Sequence, residues 1–199
     1  MMFSVAILAV VLGYTWVIEP IAPGWATPVP VVLVLALAIG HAIRSGDWGV
    51  KPAAFLPALR RSAALTGVAA LAIYLAGSRL GTWHGRREAG MTLLLLIPWG
   101  LGQQFALQTV FLHEARVTVG RSAGIVLAAA LFAALHLPNP FLSGMTFAGA
   151  LAWCWIYDRH PNLLPLALSH ALLTFAILCA FDEATTGHLR VGAAYLRLP

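Results

Sequence analysis

Long apolar runs interrupted by short clusters of charge, Pro and Gly set the plan of this chain. A helix needs roughly 20 residues to cross the hydrocarbon of a bilayer. Dividing the chain at those clusters yields seven spans, at 2–18, 27–43, 63–80, 91–112, 122–137, 141–158 and 163–181. Each is predicted to be a helix, because a lone strand would leave its backbone groups unsatisfied in lipid. Several are short, which predicts half-spans or tilted segments. Between the second and third, Trp48, Phe55, Leu56 and Leu59 lie among Arg44, Lys51, Arg60 and Arg61. That mixture predicts an interfacial amphipathic stretch from Arg44 to Ser62, broken up by Pro52 and Pro57. The tail from Asp182 to Pro199 is polar and then mixed, the pattern of a surface helix. The expectation is an all-α, polytopic bundle of about seven transmembrane helices, six to eight, forming a single transmembrane domain over 1–199.

Composition agrees with that pattern. Of 199 residues, 60% are hydrophobic and 10% charged, with a mean hydropathy of +0.85, too much apolar surface for a soluble core of this size to hide. Scarce charge excludes a disordered chain, two Cys exclude a secreted disulfide scaffold, and the lack of heptads excludes a coiled coil. Cys154 and Cys179 both fall inside apolar runs, where small thiols are common. The run from Met2 to Ile18 lacks the basic start and small-residue cleavage pattern of a signal peptide, and is expected to remain as a helix.

The net charge of +5 comes from Lys and Arg at span ends, without a basic stripe along a polar helix. This argues for anchoring to membrane lipids and against nucleic acid. Arg44, Lys51, Arg60, Arg61, Arg116, Arg121 and Arg159 fall on the N-terminal side, and Arg79, Arg86, Arg87, Arg190 and Arg197 on the other, a small bias toward a cytoplasmic N-terminus. No internal repeat supports an inverted-repeat transporter.

Polar side chains at membrane depth are costly, so each is a candidate for function as well as for helix-to-helix hydrogen bonding. The fourth span carries Gln103, Gln104 and Gln108; the latter two share a helical face, with Gln103 one position round. The fifth ends in Phe132-Ala-Ala-Leu-His136, and the seventh places Ser169-His170 four residues before Thr174. Two histidines on separate helices could converge with the glutamines, and imidazole can donate, accept or shuttle a proton. They fall short of a typical zinc set, so no metal or other cofactor is expected. Ser169 and His170, being adjacent, point in different directions round a helix, a poor arrangement for a serine hydrolase. Glu114 and Asp158 read as interfacial, with Arg116 and Arg159 as expected salt-bridge or headgroup partners. Glu114 lies ten positions after Gln104, about 15 Å further along a helix, too far to join its site.

The order of these elements resembles the CPBP family, the CAAX prenyl protease and bacteriocin-processing intramembrane proteases. The resemblance covers Gly102 through Thr174 and rests on phrases such as Ala-Leu-Phe-Ala-Ala-Leu-His-Leu-Pro and Leu-Leu-Pro-Leu-Ala-Leu-Ser-His-Ala. The spacing matches as well: His136 is 33 residues after Gln103, and His170 is 34 after His136. The family's first motif, Glu-Glu-x-x-x-Arg, falls here on Gln103, Gln104 and Gln108. The resemblance implies that the residue at Gln103 activates water with help from His136, and that Gln104 is also a catalytic position. His170 and the position of Thr174, an Asn in the family, would stabilise the oxyanion, with Gln108 and Phe132 lining the cavity. It also implies a multi-pass protein of a bacterial-type inner (plasma) membrane acting on a transmembrane or prenylated peptide.

An amide does not accept a proton near neutral pH, so Gln103 cannot serve as general base. Exchanging two acids and one base for amides leaves a neutral polar cavity, cheaper to keep in a membrane than a broken ion pair. Three readings follow. The chain retains peptidase chemistry through His136 and His170; it is a pseudoprotease that binds a membrane peptide or lipid-linked ligand; or it uses the His pair on an isoprenoid or lipid substrate.

Overall fold

A computed structural model of the chain describes residues 1–22, 24–26, 28–86 and 88–197, with Trp25 described by its backbone alone. Arg87 of the charge count and the first residue of the second span, Thr27, lie outside the described residues. The helices are α1 (Met2–Gly13), continued by a π-helical turn over Tyr14–Ile18, α2 (Pro28–Ser45), α3 (Phe55–Leu80) and α4 (Ala89–Phe105). A π-helical segment, Ala106–Leu112, joins α4 to α5 (His113–Val119). There follow α6 (Arg121–Ala134), α7 (Pro140–Arg159), α8 (Leu163–Ala180), and the short α9 (Glu183–Thr186) and α10 (Gly192–Leu196). Among the described residues the extended pairing is one isolated bridge between Val50 and Asn162. The fold is all-α, and each predicted span falls on a helix. Four helical stretches, Pro28–Ser45, Pro52–Leu80, Ala89–Val119 and Leu163–Ala180, are long and apolar enough to cross a membrane.

Two expectations about boundaries are corrected. The stretch from Arg44 to Ser62 is divided between helices: Arg44 and Ser45 end α2, and Pro52–Ala54 forms a 3-10 turn that runs straight into α3. Pro57 does not break α3 because it sits in the first turn, where backbone N–H groups have no intrahelical acceptor to lose. The fourth span does not stop at 112 but continues as helix to Val119 through the π-helical segment.

The interior is built around α8, which packs against both α3 and α4. Small residues permit the approach. A Cβ on Gly100 would come within 3.0 Å of the Ala167 carbonyl, and one on Gly77 within 2.3 Å of the Ala180 carbonyl. Thr82 Oγ1 donates to that same Ala180 oxygen at 2.6 Å, tying the end of α3 to the end of α8. Asn139 and Asn162 cap α7 and α8 by accepting from Leu142 N at 3.0 Å and Leu164 N at 3.2 Å. The buried Asn139 also donates to the carbonyls of Thr186 and Arg190, at 2.9 and 3.0 Å. Gly192 N donates to Leu137 O at 2.8 Å. The tail therefore forms two short helices held against the turn that carries His136, where one surface helix was expected.

Candidate functional site

The polar residues of the fourth span face inward because the helix widens there. Residues 106–112 are all buried, an outcome that a straight amphipathic helix with a lipid-facing side would not give. Such π-helical insertions recur at functional sites. At the junction Gln108 Nε2 donates to Gln104 Oε1 at 2.9 Å, and both side chains are fully enclosed. Gln104 Nε2 in turn lies 3.4 Å from His170 Nδ1 on α8. With the amide as donor, Nδ1 is the acceptor and the His170 proton resides on Nε2. The close approach at Gly100, where a Cβ would lie 3.0 Å from Ala167 O, brings α4 against the turn of α8 that carries His170.

His136 has the opposite arrangement. Its Nδ1 lies 2.9 Å from the Phe132 carbonyl, one helical turn back, and a carbonyl only accepts, so Nδ1 carries the proton and Nε2 keeps a lone pair. The Phe132 ring bridges the two imidazoles edge-on, with centroids 5.3 Å from His136 and 6.3 Å from His170. One histidine thus presents an acceptor and the other a donor beside a shared aromatic wall.

Trp153 on α7 completes the enclosure and was not singled out by sequence. Its ring stacks on His170 at 4.6 Å with an interplanar angle of 16°. The indole is itself held: Trp153 Nε1 donates to Ser169 Oγ at 3.1 Å, and Thr66 Oγ1 on α3 lies 2.7 Å from the same oxygen. Ser169, adjacent to His170 in sequence, therefore orients the tryptophan that packs on His170. No spacing signal could have revealed a Trp 17 residues upstream on another helix.

Other candidates are separate. Gln103 makes no hydrogen bond to Gln104, Gln108 or His170, and its Oε1 is buried without a partner among the described residues. Thr174 is half-buried and makes no recorded hydrogen bond to the site. The expected pairing of Glu114 with Arg116 is corrected: Glu114 is buried and accepts from the backbone N–H groups of Phe3 and Ser4, at 3.1 and 2.8 Å. Those amides open α1 and have no intrahelical acceptor, and the Glu114 carboxylate supplies one that a donor-only guanidinium cannot. Asp158 does pair with Arg116 and Arg159, at 3.1 and 3.9 Å, and also with Arg121 at 2.7 Å. Neither carboxylate joins the histidines. Among the described residues no three His, Cys, Asp or Glu side chains converge as metal ligands.

A family model described as Type II CAAX prenyl endopeptidase Rce1-like matches residues 85–176, a stretch that contains the three glutamines, both histidines, Phe132 and Trp153. Searches among curated proteins and solved structures return no match. The apolar helices and the family match together describe an integral membrane protein. Over residues 85–176, a little under half of its length, the chain is similar to this family of CAAX-protease-like membrane proteins.

Proposed function

We propose that this protein is a non-hydrolysing member of its family, which binds a membrane-embedded peptide or lipid-linked ligand beside His136 and His170. The observation that carries this reading is the chain from Gln108 through Gln104 to His170, in which one amide contacts the imidazole, a second holds the first, and no carboxylate among the described residues bonds to either. Peptide hydrolysis needs a base to take a proton from water, and general-base assistance contributes about 100-fold to 10,000-fold. An acceptor on His136 and a donor on His170 suit recognition of an amide, which offers one of each. The membrane concerned is, on this proposal, a bacterial-type inner membrane, and prenylated or transmembrane peptides are the ligands to try first.

A second reading has one observation in its favour. The His136 Nδ1 bond to Phe132 O leaves Nε2 free to accept a proton, so His136 could itself serve as base in a slow peptidase or in proton transfer on an isoprenoid.

One experiment separates the two. The protein in liposomes is given transmembrane and prenylated reporter peptides, alongside His136→Ala and the triple variant Gln103→Glu/Gln104→Glu/Gln108→Arg. Binding without cleavage by the unaltered protein, weakened by His136→Ala, is the expected result. Cleavage that His136→Ala abolishes would overturn it in favour of the second reading. Cleavage gained only by the triple variant would identify the missing acids as the reason for silence.

A further inference from the structure

Outside the histidine site, a cluster of charge lies where the end of α5, the start of α6 and the end of α7 meet. Arg116 closes α5 and Arg121 opens α6; they are five residues apart, joined by a turn at Gly120 with φ of +85°. That value favours glycine. Gly124 seals the hairpin, since a Cβ there would lie 2.8 Å from Arg116 Cα. Both guanidiniums converge on Asp158 near the end of α7, whose side chain is 1% exposed, while the arginines remain 38% and 62% exposed. Arg159 adds a third, more distant contact to the same carboxylate.

One carboxylate cannot satisfy this set. Three positive charges less one negative leave a formal +2, and each guanidinium has five N–H donors against the few lone pairs of Asp158. Arg61 of α3 contributes a further charge, its guanidinium 5.5 Å from the centroid of Trp155, and Arg159 lies over the same ring at 4.1 Å. Arg121, Ser122, Ile125, Trp155, Asp158 and Arg159 line a depression of about 400 Å³, which Arg61 adjoins only through its contact with Trp155. Its walls combine guanidiniums, a hydroxyl and an apolar floor. The first turn of the 14-residue α6 borders it without a side-chain cap, so backbone N–H groups add to the field.

The surroundings select the ligand. Val117, Val126 and Trp155 are exposed apolar side chains on the helices that carry the arginines, so the depression opens beside lipid-facing surface. A headgroup phosphate reaches such a site with its acyl chains still in the bilayer. We infer that this depression is a binding site for the phosphate headgroup of an anionic phospholipid, coordinated by Arg61, Arg121 and Arg159 with Trp155 against the glycerol region.

The test uses the full chain in detergent, with affinities for phosphatidylglycerol and phosphatidylcholine read by native mass spectrometry and inorganic phosphate as competitor. Expected is preferential binding of phosphatidylglycerol, weakened roughly 30-fold by Arg61→Gln/Arg121→Gln. That variant leaves Arg116 and Arg159 on Asp158; should it fail to fold, Arg61→Gln alone touches no contact of Asp158 and is expected to weaken binding about fivefold. Equal affinity for phosphatidylcholine, an unchanged affinity in the variants, or full displacement by millimolar phosphate would each overturn the assignment.

Discussion

Two regions of this protein handle buried polarity in opposite ways. In the interior, Gln104, Gln108 and His170 form a chain of uncharged groups, although Gln108 Oε1 is buried without a partner among the described residues. At the helix ends, Asp158 and three arginines form an ionic cluster whose acid is buried and whose bases reach outward. The tryptophans two positions apart on α7 divide along the same line: Trp153 is 4% exposed and stacked on a neutral imidazole, Trp155 is 42% exposed and flanked by guanidiniums. Each buried carboxylate, Asp158 and Glu114, is held by donors, arginines in one case and backbone amides in the other, because moving an ion into a low-dielectric interior costs several kcal/mol even after relaxation. Uncharged amides at 104 and 108 are what a membrane interior tolerates at low cost.

The widest separation between the regions is expected from the tryptophans. Trp153→Ala should lower stability by about 3–5 kcal/mol, through the cavity it leaves beside His170. Thermal unfolding in detergent measures it, and a loss below about 1 kcal/mol would show the interior to be far looser than its packing suggests. Gln104→Glu comes next, with a loss of about 3 kcal/mol at neutral pH, because the carboxylate would face His170 and Gln108 without a cation. Its deficit should shrink as pH falls and the carboxyl becomes neutral; a deficit independent of pH would contradict the electrostatic cause.

Smaller effects sharpen the contrast at the rim. Asp158→Ala is expected to cost about 1–2 kcal/mol, discounted because the arginines it pairs with are more than a third exposed. Added salt should alter that difference while leaving the Trp153→Ala deficit unchanged. Ser169→Ala should cost about 1 kcal/mol by leaving the Trp153 indole N–H without its acceptor, with a change in tryptophan fluorescence as the direct sign. Trp155→Ala is the smallest, below about 1 kcal/mol, since it removes only exposed cation–π contacts.

Much of the helical plan was legible because lipid imposes it. An apolar run of span length has few alternatives to helix, and the i and i+4 relation between Phe132 and His136 holds on any regular helix. The recurrence of polar residues at 103, 104, 108, 136 and 170 marked out the candidate site, and Gln104, Gln108 and His170 do meet. Gln103, equal to its neighbour in the motif, does not bond to them, because one residue is about 100° of rotation round a helix. The π-helical segment left no trace in a hydropathy pattern that is apolar on either side of it. Glu114 looked like the partner of Arg116 two residues away, yet its acceptors were needed by amides more than a hundred residues earlier in the chain.

The sequence by itself determined that this is a helical membrane protein, that its polar interior carries amides and histidines, and that its cations gather at helix ends. Those are consequences of composition and local periodicity, which act on every residue wherever it finally lies. Only the tertiary structure decided that Trp153 would stack on His170, that Thr66 and Ser169 would hold it there, and that three arginines would share one buried aspartate. Contacts of that kind join helices distant in the chain, and the shape complementarity that selects them exists only after the helices have packed.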